Sequence, residues 1–185
     1  MDIRFEPKDA LILVDIQVDF CPGGKLPIER GDEVVSILNP IIEQAEKQGI
    51  YIFYSRDFHP RLHPSFKENG GIWPTHCVQD TEGARFHPEL KIAKNSVIVT
   101  KGTRFDKDQY SAFDDTGLVF AFKKLDIKRV FIGGLALDVC VKETALDAIK
   151  NGFHTFLIKQ GSRPVTEKSG EQALIEMKNK GVIII

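Results

Sequence analysis

Between Asp9 and Asp15 the chain carries five apolar residues in a row, Ala10 to Val14, with no polar residue among them. A strand with one face in water alternates apolar and polar side chains, so an unbroken run implies burial on both faces. Comparable short runs recur at 50–54, 96–100, 129–132, 153–158 and 182–185. Between several of them lie stretches with apolar residues at helical spacing, over 32–48, 117–125, 138–151 and 167–180. This alternation predicts an α/β fold: a three-layer, doubly wound, mainly parallel six-stranded sheet with helices on both faces. At 185 residues the chain is expected to form a single domain over 1–185. In the first helix Asp32 is expected as N-cap and Gly49 as stop, while Pro40 predicts a kink or a shorter helix.

In such sheets ligands gather beyond the carboxyl ends of the strands, near the point where strand order reverses. Four reactive residues fall at predicted strand ends: Asp15, Asp57, Lys101 and Cys140. Cys140 follows the run 129–132 and the pair Gly133-Gly134, in the first turn of the helix expected from Asp138. The helix dipole and unpaired amides there favour a thiolate, which makes Cys140 a candidate nucleophile. Its other reading is a small buried hydrophobe, and spacing leaves the two even. The alternative for Asp15 is a strand-end cap, common in this fold class, and for Lys101 a solvated lysine, the reading its position alone favours. Cys21 and Cys77 are rival nucleophiles without the dipole argument.

From Phe58 to Asn95 the pattern is irregular and rich in proline and glycine, and a structureless stretch of that length points to function. Four of the five histidines lie in it: His59, His63, His76 and His87. Asp57, His59 and His76 form a plausible divalent-metal set, with Ser65 and His63 as further candidates near the ion. Solvated loop residues are the bland alternative. His87 and His154 read as structural. Phe20, Trp73 and Tyr110, in predicted loops on the same rim, are placed to stack on a flat ring, although aromatics more often fill cores.

The formal net charge of -1 gives no reason to expect a nucleic-acid or membrane partner. No apolar run is long enough for a transmembrane helix, and the residues from Met1 lack a signal-peptide core. Three scattered cysteines suit a reducing, cytoplasmic location.

Seven motifs together carry a family resemblance: LVDIQVDFCPGG from Leu13, RDFHP from Arg56, HPSF from His63, WPTHCV from Trp73, Lys101-Gly102, YSAF from Tyr110 and GLALDVC from Gly134. Across nearly its full length the chain resembles the nicotinamidases of the isochorismatase-like cysteine hydrolase superfamily. The resemblance implies Asp15 as general base, Lys101 as its charge partner and Cys140 as nucleophile. It implies Asp57, His59 and His76 as ligands of one divalent ion, zinc first, with iron or manganese as alternatives. Phe20, Leu26, Trp73, Tyr110 and Ala136 would line the ring pocket. A cis peptide at Leu135-Ala136 and an oxyanion hole from the amides of Ala136 and Cys140 are implied too. The implied reaction is hydrolysis of nicotinamide to nicotinate and ammonia through a cysteine thioester, with the ion on the pyridine nitrogen and a role in NAD salvage. Pyrazinamide and similar small aromatic amides should fit, and homo-oligomerisation is left open. A sister amidase acting on another small amide, or a non-catalytic metal-binding protein of this fold, are the alternatives. Val18, Leu137 and Val139 depart from the family pattern beside the site, and bear on substrate preference.

Overall fold

The computed structural model describes residues 3–185, so the first two residues of the N-terminal stretch read above lie outside it. Six strands form one sheet: β1 (Asp9–Val14), β2 (Tyr51–Asp57), β3 (Val97–Lys101), β4 (Arg129–Leu135), β5 (His154–Arg163) and β6 (Ile183–Ile184). Their order is β3-β2-β1-β4-β5-β6, and every neighbouring pair is parallel. The order reverses between β1 and β4, which puts the crevice for a ligand just beyond Val14 and Leu135.

The four helices are α1 (Glu33–Lys47), α2 (Leu118–Lys124), α3 (Lys142–Lys150) and α4 (Glu167–Asn179). β1 shows why its run had to be unbroken. Leu11 and Leu13 pack with Leu38 and Ile42 of α1, whereas Ala10, Ile12 and Val14 pack with Phe122 of α2, Ala145 of α3 and Met177 of α4. Three helices therefore cover one face and a single helix the other. The second face is completed by the irregular 58–95 stretch, which buries Ala84, Leu90 and Ala93 beside α1. It thus takes the place of a crossover helix between β2 and β3.

Several boundaries differ from the sequence expectation. α1 runs unbroken through Pro40, because Pro40 lies on its exposed face where water can satisfy the carbonyl left without a donor. Asp32 has helical dihedrals and makes no side-chain cap. β4 continues through the glycine pair that reads as a turn, and β5 extends to Arg163 past a register shift opposite Ile132–Gly134. Gly134 has φ +133°, and a Cβ there would lie 2.1 Å from the Val14 carbonyl oxygen, so only glycine lets β4 pass β1 this closely. No helix among the described residues is long and apolar enough to cross a membrane.

Candidate active site

The strand ends bring four of the predicted residues into one buried cluster. Lys101, the last residue of β3, is fully buried, and its Nζ lies 2.7 Å from Asp15 Oδ2 and 2.6 Å from Asp57 Oδ1. Cys140 Sγ is 3.6 Å from the same ammonium. Asp57 closes β2 opposite Lys101 in the ladder, and Gln17 fixes its backbone in both directions. The Asp57 N–H donates to Gln17 Oε1 over 2.8 Å, and Gln17 Nε2 donates to the Asp57 carbonyl over 2.7 Å. Asp15, just past β1, sits at φ +48° and is tied to β2 by the Ser55 hydroxyl, which donates to its Oδ1 over 2.7 Å. Asp15 Oδ2 lies against the Lys101 ammonium, and the carboxylate also meets the Cys140 thiol, whose proton it is placed to accept.

Burial pushes the Asp15 carboxyl above the ordinary aspartate range, more than Lys101 draws it down. Burial acts on Asp57 the same way, but there Lys101 and His59 together hold the carboxyl below its ordinary value. Lys101 feels the opposite desolvation, yet its two carboxylates keep it firmly charged. The Cys140 thiol is driven well above the usual thiol range by burial, despite Lys101.

That last shift runs against the expectation of a dipole-stabilised thiolate. The local backbone differs too. Residues Leu137–Val141 form a π-helical turn and α3 starts only at Lys142. The Ala136 carbonyl accepts from Val139 and Val141, each over 3.1 Å, rather than from Cys140 as an α turn would require. The Leu135-Ala136 peptide is cis, as expected.

Next to this cluster, Asp57, His59 and His76 bring one ligand atom each within 4.8 Å of one another, all three buried. His59 Nδ1–H donates to the Gly102 carbonyl and His76 Nδ1–H to the Pro74 carbonyl, both over 2.7 Å. Each ring therefore offers Nε2, and carbonyl partners of this kind fix tautomer and orientation for metal binding. Asp57 has Oδ1 engaged by Lys101 and Oδ2 beside His59, 3.7 Å from Nε2. Two imidazoles and a carboxylate fit a divalent ion of the zinc, iron or manganese type. His63 is buried, its ring centroid lies 4.1 Å from that of His59 with the planes tilted by 33°, and it pairs through Nδ1 with Ser65 Oγ at 2.7 Å. Its Nε2 has no partner among the described residues, and burial followed by His59 pushes its pKa down to about 4.

Both clusters open into one pocket of about 510 Å³, partly open to solvent. Phe20, Leu26, Trp73, Tyr110, Ala136 and Cys140 line it. Trp73 Nε1–H donates to the Tyr110 hydroxyl over 3.0 Å, so the two aromatics form one wall. Cys21 and Cys77 are buried away from the lining; burial raises the first to about 12 and the second well above the ordinary range. His87 and His154 take no part.

Sequence reasoning missed Asp108 and Val165, which also line the pocket, and saw Val139 only as a departure from the family pattern. It also missed Gln17 as the clamp on Asp57. A glutamine between Ile16 and Val18 at a strand exit was its one available signal.

The isochorismatase domain family matches residues 9–185. The nicotinamidase of Escherichia coli K12 is 35% identical over 96% of this chain and 94% of its own length. A pyrazinamidase of Pyrococcus horikoshii, solved in complex with zinc, is 42% identical with a TM-score of 0.94, over 97% of this chain and 99% of that one. An L. infantum protein solved in complex with nicotinate is 35% identical with a TM-score of 0.91, over 97% of this chain and 92% of that one. With the domain match spanning β1 to β6, this chain belongs to the isochorismatase family.

Proposed function

We propose that this chain is a nicotinamidase, a cytoplasmic amidohydrolase that converts nicotinamide to nicotinate and ammonia and serves NAD salvage. One observation carries the reading: a buried thiol, carboxylate and lysine meet where Cys140 reaches a pocket lined by aromatics, beside a metal-ligand set. In this reading Asp57, His59 and His76 hold one divalent ion, zinc first. When bound, such an ion supplies a Lewis-acidic contact that orients a pyridine nitrogen.

The chain's own residues then account for the chemistry. Asp15, with a raised pKa and its carboxylate beside the thiol, takes the Cys140 proton as sulfur attacks the carboxamide carbon. The Ala136 and Cys140 amides receive the developing oxyanion, a contact whose loss typically costs about a hundredfold or more in turnover. As the C–N bond breaks, Asp15 returns that proton to nitrogen, and ammonia leaves a thioester on Cys140. Asp15 next takes a proton from water, whose oxygen attacks the acyl carbon. Nicotinate departs, and the released sulfur recovers its proton from Asp15. Lys101 stays charged throughout and holds both carboxylates in place.

The test is ammonia release from nicotinamide, pyrazinamide and a panel of other small amides by zinc-loaded protein, repeated after chelation. Turnover of nicotinamide that falls on chelation and returns with zinc is expected. Release from another amide but none from nicotinamide would shift the assignment to a sister amidase.

A further inference from the structure

The segment joining β5 to α4 reaches the outer rim of the pocket through Val165, which is 45% exposed and lines it together with Val139 and Cys140. What holds this segment comes from the nucleophile turn. Asp138, two residues ahead of Cys140, does not itself line the pocket, but its Oδ1 accepts the Val165 N–H over 2.9 Å. Its Oδ2 accepts the Ser169 hydroxyl. Ser169 in turn donates its N–H over 3.1 Å to Thr166 Oγ, the N-cap of α4. One carboxylate therefore anchors both sides of the rim: the residue that faces the ligand and the first turn of the helix behind it. The packing leaves little slack, since a Cβ on Gly170 of α4 would lie 2.7 Å from Pro164 Cβ.

We infer that Asp138 is a positioning residue that holds Val165 against the ring pocket and so sets which ring substituents the site admits. The inference rests on the nicotinamide reading above. Hydrogen bonds to a charged acceptor are among the stronger ones in proteins, and losing the bond to Val165 lets the rim move outward. An unsubstituted ring then loses a contact made equally in ground and transition states, which raises KM and spares kcat. A ring carrying an extra methyl group gains the space.

Steady-state kinetics with nicotinamide and 5-methylnicotinamide test this in the wild type, Asp138→Ala, Asp138→Asn, Ser169→Ala, Val165→Ala and the Asp138→Ala/Val165→Ala double variant. Asp138→Ala should raise KM for nicotinamide about tenfold with kcat within about threefold. The ratio of kcat/KM for the methylated over the plain ring should rise by a similar factor. Asp138→Asn keeps an acceptor for the Val165 N–H and should restore most of the wild-type ratio. Val165→Ala should reproduce the shift, and the double variant should add nothing further. A fall in kcat with KM unchanged would place Asp138 in support of Cys140 and overturn the inference. An unmoved ratio in Asp138→Ala beside a moved one in Val165→Ala would overturn it as well. Should Asp138→Ala fail to fold, Ser169→Ala removes one of the two anchors and should move the ratio about threefold; no movement there overturns the inference. A wild type inactive on nicotinamide sinks the substrate reading, whereas unmoved ratios in an active enzyme sink only the role of Asp138.

Discussion

Replacing Lys101 by methionine removes the one cation between two buried carboxylates while keeping an unbranched side chain. In the native site Nζ lies 2.7 Å from Asp15 and 2.6 Å from Asp57, with all three residues shielded from water. Breaking a buried pair by deleting one partner typically costs about 3–5 kcal/mol, because the other charge stays buried and uncompensated. For a chain of this length that corresponds to a fall in Tm of roughly 10 °C. The pH dependence follows from the sign of the new shift. Without the ammonium, two facing carboxylates cannot both ionise, so the folded variant keeps a proton that the unfolded chain has released by pH 7. A folded-state pKa raised above the unfolded value gives stability that is present at low pH and lost as pH rises. One such proton is worth about 2.7 kcal/mol between pH 5 and pH 7. Lys101 itself stays charged over that range, and the wild type is the reference at each pH.

Urea unfolding of chelator-treated wild type and Lys101→Met at pH 5 and pH 7 measures both quantities. Adding Asp15→Asn to Lys101→Met removes one of the two facing acids and should recover about half of the lost stability at pH 7. A loss below about 1 kcal/mol at pH 7, or a loss that is equal at the two pH values and untouched by Asp15→Asn, would refute the reasoning.

Cys140→Ala should lower ammonia release by about 10⁴-fold or more while circular dichroism and Tm stay close to wild type; a loss under tenfold would move the nucleophile elsewhere. His76→Ala should weaken zinc binding by more than about a hundredfold, since ligands matter more than the outer partners whose loss costs 10–100-fold; zinc stoichiometry by mass spectrometry reads it. Gly134→Ala forces a Cβ to within 2.1 Å of the Val14 carbonyl at φ +133°, and should destabilise by about 4 kcal/mol or more. Recovery of soluble Gly134→Ala protein with wild-type Tm would contradict the close passage of β4 and β1.

The fold was legible wherever one physical constraint acted alone. Two-sided burial made the run at 10–14 apolar throughout; apolar runs also located the edge strands β3 and β6, although Val97, Ile98 and Ile183 there are about half exposed. The ends blurred where a second constraint competed. Gly133 and Gly134 look like a turn because glycine usually supplies conformational freedom, yet Gly134 serves here to let two strands pass closely within the sheet. The 3.6-residue period finds the helix around Ala145, but it cannot distinguish a first turn widened to π geometry at Leu137–Val141. The thiolate argument meets a similar competitor: a helix terminus contributes a modest field, and burial of Cys140 works against it. Gln17, Asp138 and Val165 act through contacts with residues 40, 31 and 27 positions away in the chain, which no local pattern records.

The two acids on Lys101 show why the cluster needs more than its residue types. Asp15 and Asp57 lie at nearly the same distance from one ammonium, and burial acts on both in the same direction. Their pKa values nevertheless move apart. Asp57 has His59 and His76 beside it as well as Lys101, so its ionised form has company on several sides. Asp15 has the ammonium and the Ser55 hydroxyl, and the charge of Asp57 works against it. A proton offered to this cluster therefore settles on Asp15, the acid whose neutral form is favoured. The same asymmetry leaves Asp57 ionised, as a metal ligand must be. Lys101 draws both acids down and so does not sort them; the charge of Asp57 beside Asp15 does, and leaves Asp15 as the one placed to take the proton.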